Sequence, residues 1–235
     1  MIDRCPLDEA GFALTQPTTS SWYFVGKQLI IPYEAPQGRR LNAIGAYFTH
    51  GPGARRLEFE TLAAIPKSRA KKPRPPGEEI AQKHGLTLSE IGTLDAAFFL
   101  AFVWKISGRP EGQSEGGKRE RPLWIVLDNY SVPTGETVRA AQEALEAADL
   151  HFFYLPSYSP ELSEIEPLWR AVKYREMTSR SFTLLGNLKK EVDGALTRKA
   201  DRLLAAGPQE RPATPSPETA LAAPLPSTHL LCNDT

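Results

Sequence analysis

A continuous apolar run that ends in an aspartate constrains the fold more than any other feature of this sequence. The run Leu123–Leu127 has the length of one strand, and Asp128 follows it directly. A strand without polar alternation is typically covered on both faces, as in the parallel sheets of α/β proteins. Such sheets bind their ligands beyond the carboxyl ends of the strands. The run therefore predicts a central strand with Asp128 at its functional end.

A second acid lies where a helix is predicted to begin. A segment with prolines at 156 and 160 precedes Glu166. Apolar residues then recur at helical spacing, which places Glu166 in the first turn of a helix. These apolar positions are Ile165, Leu168, Trp169 and Val172. Trp169 is predicted to be a core residue rather than a base-stacking one.

Both acids also have simpler explanations. Ser163 and Glu166 have the spacing of a capping box, in which the glutamate only satisfies a backbone donor at the helix start. Asp128 followed by Asn129 is also a common way to leave a strand through an Asx turn. Asp8, with its neighbour Glu9, could be an ordinary turn acid.

The order of the remaining segments predicts an α/β fold. A strand, a helix and a further strand from residue 123 to residue 155 form a parallel crossover unit. The other predicted strands lie at 7–14, 41–48 and 57–62, and the other predicted helices at 93–106 and 182–196.

Composition predicts one globular domain with irregular additions. The chain has 235 residues, of which 41% are hydrophobic, enough to bury one core. We predict a domain over 1–200, with a mobile basic insertion at 66–85 and a linker at 107–120. The Pro/Ala-rich tail 201–235 is predicted to be disordered.

Charge and cysteine content set limits on location and partners. The net charge is zero, so binding to DNA would depend on local basic clusters. The densest cluster, residues 67–74, is equally well explained as a DNA contact or as a solvated loop. Cys5 and Cys232 form no metal or disulfide pattern, which favours a reducing cytosol. No apolar run approaches the about 18 residues needed to span a membrane.

Three blocks of the sequence resemble one enzyme family. The segments LDN at 127–129 and LPSYSPELSEIEPLW at 155–169 are similar to transposases of the insertion sequence 630 group, within the mariner superfamily of DDE transposases. The segment PLDEAGF at 6–12 resembles the strand that carries the first acid of this family. The resemblance implies a ribonuclease-H-like mixed sheet flanked by helices, with a catalytic triad of Asp8, Asp128 and Glu166.

The implied chemistry is phosphoryl transfer on DNA. The three carboxylates would bind two Mg²⁺ or Mn²⁺ ions, which at about 4 Å separation can stabilise both the attacking and the leaving oxygen. Without metal, the three charges should repel one another and raise their pKa values. Arg170 and Lys173, within two helical turns of Glu166, and Asn129 are the predicted DNA-binding residues.

The resemblance also predicts partners, and it has two departures. Pro133 stands where the family usually has a histidine, and the family's helix-turn-helix modules do not precede Asp8. We therefore expect the catalytic domain of a split or N-terminally truncated element. It would cleave element ends and transfer them into target DNA, as a homodimer or with a partner carrying the helix-turn-helix region, in the bacterial cytosol or nucleoid. The alternatives are an inactive remnant that binds DNA or a full-length transposase, and a general nuclease of the same fold.

Overall fold

The computed structural model describes residues 2–16, 25–26, 39–65, 77–108, 119–128, 135–156, 162–179 and 181–207. Its strands are β1 (Asp3–Ala13), β2 (Arg40–Tyr47), β3 (Leu57–Ala64), β4 (Leu123–Leu127) and β5 (Leu150–Tyr154). Its α-helices are α1 (Gly77–Lys83), α2 (Ala96–Ile106), α3 (Glu136–Ala147), α4 (Glu166–Ala171) and α5 (Leu185–Ala205). A 3-10 turn at Leu88–Glu90 follows α1, and a π-helical turn at Val172–Glu176 continues α4.

The five strands form one mixed sheet in the order β3-β2-β1-β4-β5. The pairs β1–β2 and β2–β3 are antiparallel, whereas β1–β4 and β4–β5 are parallel. The helix α3 connects β4 to β5, as the predicted crossover unit requires. The predicted mixed sheet flanked by helices is therefore confirmed.

Helices cover the two faces of the sheet unequally. One buried cluster joins the sheet to α4 and α5, and we call this side the α5 side; a second joins it to α2 and α3, the α2 side. Leu123, Ile125 and Leu127 of β4 are fully buried on the α2 side, but Trp124 and Val126 are only half-buried. The prediction that β4 is covered on both faces is thus wrong for one face, because α5 packs mainly against β3 and β2.

Several predicted boundaries need correction. The predicted insertion 66–85 is not irregular throughout, because α1 lies within it and buries Ala81, and His84, directly after α1, is buried as well. The helix α5 continues to Ala205, past the predicted domain end at residue 200, so the first residues of the predicted tail are helical. The guanidinium of Arg55 donates hydrogen bonds to the carbonyls of Ala206 and Gly207 and holds this helix end on the domain.

Other predictions fall outside the described residues. These are the predictions for 66–76, the centre of the linker at 109–118, and the tail from 208 onward. Within the described part of the chain, no helix combines the length and the apolar character needed to cross a bilayer.

Candidate active site

Two of the predicted acids lie side by side on neighbouring parallel strands. Leu7 of β1 is paired with Leu127 of β4, and Asp8 and Asp128 are the residues that follow each of them. Paired strands lie about 4.8 Å apart, so Asp128, directly after the end of β4, is next to Asp8 within β1. Because Leu7 faces the α2 side, strand alternation directs Asp8 toward the α5 side. This is the side on which α4 carries Glu166.

A close contact between α4 and the sheet brings Glu166 to these acids. The indole of Trp169 lies directly over Gly45 of β2: a Cβ at position 45 would be 2.7 Å from its Cη2 and 2.8 Å from its Cζ2. Gly45 is the residue paired with Asp8. Trp169 is only 3% exposed, which confirms its prediction as a core residue. The first turn of α4 is therefore held against the part of β1 that bears Asp8.

The capping-box explanation of Glu166 is wrong. The cap residue of α4 is Ile165, and no side chain in the described part of the chain caps the helix start. Ser163 instead accepts a hydrogen bond from the backbone N–H of Glu166 through its carbonyl oxygen, at 3.3 Å. Since the Glu166 side chain is exposed and has no capping role, it is available to another ligand.

The electrostatics of Asp8 link the three acids. The pKa of Asp8 is raised to about 6, mainly by burial and in addition by the negative charges of Asp128 and Glu166. The backbone N–H of Glu9 and the indole N–H of Trp169 act in the opposite direction. The pKa of Glu9 is also raised, first by burial and then by Asp128, while Arg40 lowers it. Repulsion between the carboxylates, expected from the sequence, is thus present.

The donor set suits a hard divalent cation. Carboxylate oxygens are the preferred ligands of Mg²⁺, and an added cation would relieve the repulsion around Asp8. Asp128 and Glu166 are exposed, so water and a substrate phosphate could reach such an ion. Among the described residues, no three His, Cys, Asp or Glu side chains are close enough to share an ion. The three carboxylates would have to move closer together on binding one.

The predicted DNA-binding residues have different surroundings. Arg170 is exposed on α4. Lys173 is half-buried, with its Nζ 5.3 Å from the centre of the Phe12 ring, a distance suited to a cation–π contact. Asn129, like Pro133, lies outside the described residues.

The segment that carries Lys173 is anchored to α5. Glu176, at the end of the π-helical turn, is buried. Its carboxylate accepts a hydrogen bond from Arg202 at 2.8 Å, and its carbonyl accepts one from Arg198 at 2.8 Å. Insertions of a π turn into a helix are frequent at functional sites. Here the turn ends the helix that begins with Glu166.

Sequence reasoning missed two features of this site. The role of Gly45 was missed because a glycine inside a strand suggests that another group approaches the backbone closely, but does not identify that group. The surroundings of the Trp169 N–H were also unpredictable, since helical periodicity indicates burial but not what the polar end of the ring faces.

Comparison with known proteins agrees with these features. Residues 81–189, which include Asp128 and Glu166, match the family model described as DDE superfamily endonuclease. Over these residues, the predicted DDE-type endonuclease domain is thereby confirmed. A comparison with curated proteins finds no match.

The chain is similar in fold to solved structures of Mos1 transposase. It is 14% identical to the chain in a pre-cleavage Mos1 transpososome, with a TM-score of 0.47. The match covers 89% of this chain and 57% of the transpososome chain. For the Mos1 mariner paired end complex with Mn, the identity is 13%, the TM-score 0.48, and the coverage 89% and 56%. For the catalytic domain of Mos1 mariner transposase, the identity is 13% and the TM-score 0.45, and the match covers 85% of this chain and 76% of that domain's chain. The chain thus spans little more than half the length of the transposase chains in the complexes.

Proposed function

We propose that this chain, whose residues 81–189 match the DDE superfamily endonuclease model, cleaves DNA strands and transfers them in DNA transposition. One observation carries the proposal. Asp8 and Asp128 follow directly paired residues of adjacent parallel strands, and α4 packs its first turns against the same place. Three acids from three separate elements can surround a bound ion, which a single segment of chain cannot do.

Asp8, Asp128 and Glu166 are the residues that would hold divalent metal. Mg²⁺ or Mn²⁺, bound as a pair, would supply charge neutralisation at the phosphate and an activated water or 3′-hydroxyl. The Mos1 paired end complex has been solved with Mn and with Mg. The two ions and their three carboxylate ligands are part of our proposal for this chain.

The proposed substrates are element ends and target DNA, since the Mos1 relatives were solved as transpososome, paired-end and strand transfer complexes. Arg170, exposed on the helix of Glu166, is the first candidate to contact a phosphate. To contact DNA, the Lys173 ammonium would have to leave its position over the Phe12 ring. A homodimer, or a partner carrying helix-turn-helix modules, would bring two ends together.

Nicking of supercoiled plasmid with Mg²⁺ or Mn²⁺ tests the cleavage step. We expect the parent chain to nick DNA only with metal, and Asp128→Asn and Glu166→Gln to lose this activity. Glu164→Gln is the matched control, because Glu164 lies two residues from Glu166 but is exposed and pairs with Arg4 at 2.5 Å. This control should nick DNA like the parent.

A second assay tests strand transfer, by joining a labelled oligonucleotide with a free 3′-hydroxyl to plasmid DNA. Joining that requires metal and both acids would distinguish a transposase from a general nuclease. If the parent neither nicks DNA nor gains melting temperature with metal, the proposal of an active enzyme fails, and an inactive DNA-binding remnant becomes the better explanation.

A further inference from the structure

One buried polar group at the candidate site has no partner in the structure. Nε1 of Trp169 is buried and finds no hydrogen-bond acceptor among the described residues. Buried donors are almost always satisfied, because an unmade hydrogen bond costs the desolvation of the donor. Such a group in a well-packed position therefore calls for an explanation.

The position of the indole is fixed by packing on two sides. Its six-membered ring lies over Gly45, where no side chain could be accommodated without displacing it. Its other neighbour is Phe12, whose ring centre is 6.5 Å away in an edge-on arrangement with an interplanar angle of 77°. The ring cannot turn away from the sheet without losing both contacts, so the direction of its N–H is set by the fold.

Asp8 lies near this N–H. Gly45, under the ring, is paired with Asp8 across the β1–β2 ladder. The N–H acts on the Asp8 carboxylate, whose pKa it lowers. The two groups are thus close to each other, although their geometry in this structure falls short of a full hydrogen bond.

We propose that Trp169 is a positioning residue that donates its indole N–H to the Asp8 carboxylate and orients this acid for metal binding. The proposal rests on the proposed function, in that Asp8 is taken to be a metal ligand. Partners that orient a ligand in this way typically contribute 10–100-fold to metal affinity or activity. Trp169 also holds α4, so one side chain sets the positions of both Asp8 and Glu166.

A double-mutant cycle without metal tests the N–H contact independently of enzyme activity. Trp169→Phe removes the donor and keeps an aromatic ring, and Asp8→Ala removes the acceptor. We expect Trp169→Phe to raise the unfolding equilibrium constant by about 10–100-fold more in the parent than in the Asp8→Ala background, the range for a hydrogen bond to a charged group. Trp104→Phe is the matched control, since Trp104 is buried on the α2 side and should be additive with Asp8→Ala.

A second variant addresses the smaller volume of phenylalanine. Incorporation of benzothienylalanine at position 169 replaces the N–H by sulfur in a ring of almost the same shape. We expect the loss of stability of this variant to equal the coupling between Trp169 and Asp8 that the double-mutant cycle measures. We also expect it to need at least tenfold more Mn²⁺ than the parent for a half-maximal change in melting temperature.

The outcomes separate this inference from the proposed function. Equal effects of Trp169→Phe in both backgrounds, together with unchanged Mn²⁺ dependence of the benzothienylalanine variant, would overturn the positioning role and leave Trp169 as packing. If the cycle shows coupling while the parent chain fails to nick DNA, the contact stands and the proposed function does not.

Discussion

At the scale of single residues, Asp8 makes the metal-free protein less stable than it could be. Its folded pKa of about 6 lies above the unfolded value of 3.8, so the folded state binds the proton more tightly. Stability therefore falls as the pH rises from about 4 through 6, and the ionised carboxylate opposes folding above that range. Such a cost is expected at a site where function requires several like charges together.

Asp8→Asn should therefore stabilise the metal-free protein at pH 7. We expect a gain of about 1–3 kcal/mol, since each unit of pKa shift corresponds to about 1.4 kcal/mol and the group keeps some solvent contact. The gain should shrink on acidification and vanish below about pH 4, where the parent carboxylate is protonated in both states. Urea unfolding between pH 4 and 8 measures this. Asp201→Asn, at an exposed position of α5, should change stability by less than about 0.5 kcal/mol.

The site could be predicted in part from single residues. Asp128 and Glu166 were found because a strand end and a helix start both leave clear sequence patterns. Asp8 was found only through resemblance, since β1 begins at Asp3 and the acid lies in its middle, where the pattern gives no sign of function. Gly45 escaped prediction because its role depends on a ring that lies 124 positions later in the chain.

At the scale of elements, the contact of α4 with β2 decides where Glu166 lies. This contact depends on the absence of a side chain at Gly45, which lets the Trp169 ring approach the backbone. The helix has only six residues before the π-helical turn, so its own hydrogen bonds do little to fix it. Packing of its buried residues must do so instead.

Gly45→Ala should therefore displace α4. The new methyl group would lie less than 3 Å from two ring carbons, and relief of this overlap should cost about 1–3 kcal/mol. We expect lower stability in urea and a smaller rise in melting temperature on adding Mn²⁺, because Glu166 moves with the helix. Gly11→Ala, on β1, is the control: a Cβ there has no neighbour within 4 Å, so stability should be unchanged or slightly higher. Equal effects of both substitutions would contradict this account of α4.

At the scale of the whole molecule, the sequence predicted the elements better than their ends. Apolar periodicity located every strand of the sheet, because each one buries at least part of its side chains in a cluster. The strand order and register depend on pairs far apart in the chain, and only the family resemblance could suggest them. The long α5 was underestimated, since its last turn is held by residues from elsewhere: Arg55 at its end and Glu176 along its side.

The end of α5 predicts where the folded domain can be shortened. A chain that ends at Ala200 would lose Arg202, leaving the buried Glu176 carboxylate without this partner, and would lose Leu203, which packs against the α5-side cluster. We expect it to be about 2–4 kcal/mol less stable, a fall in melting temperature of roughly 5–15 °C for a domain of this size. A chain that ends at Gly207 keeps both residues and the carbonyls that Arg55 binds. It should melt like the full chain, because the Pro/Ala-rich sequence after Gly207 offers few large apolar side chains to bury. Calorimetry of the full chain and of the chains ending at Gly207 and at Ala200 measures these melting temperatures. A loss of stability in the chain ending at Gly207 would mean that the tail contributes to the folded domain.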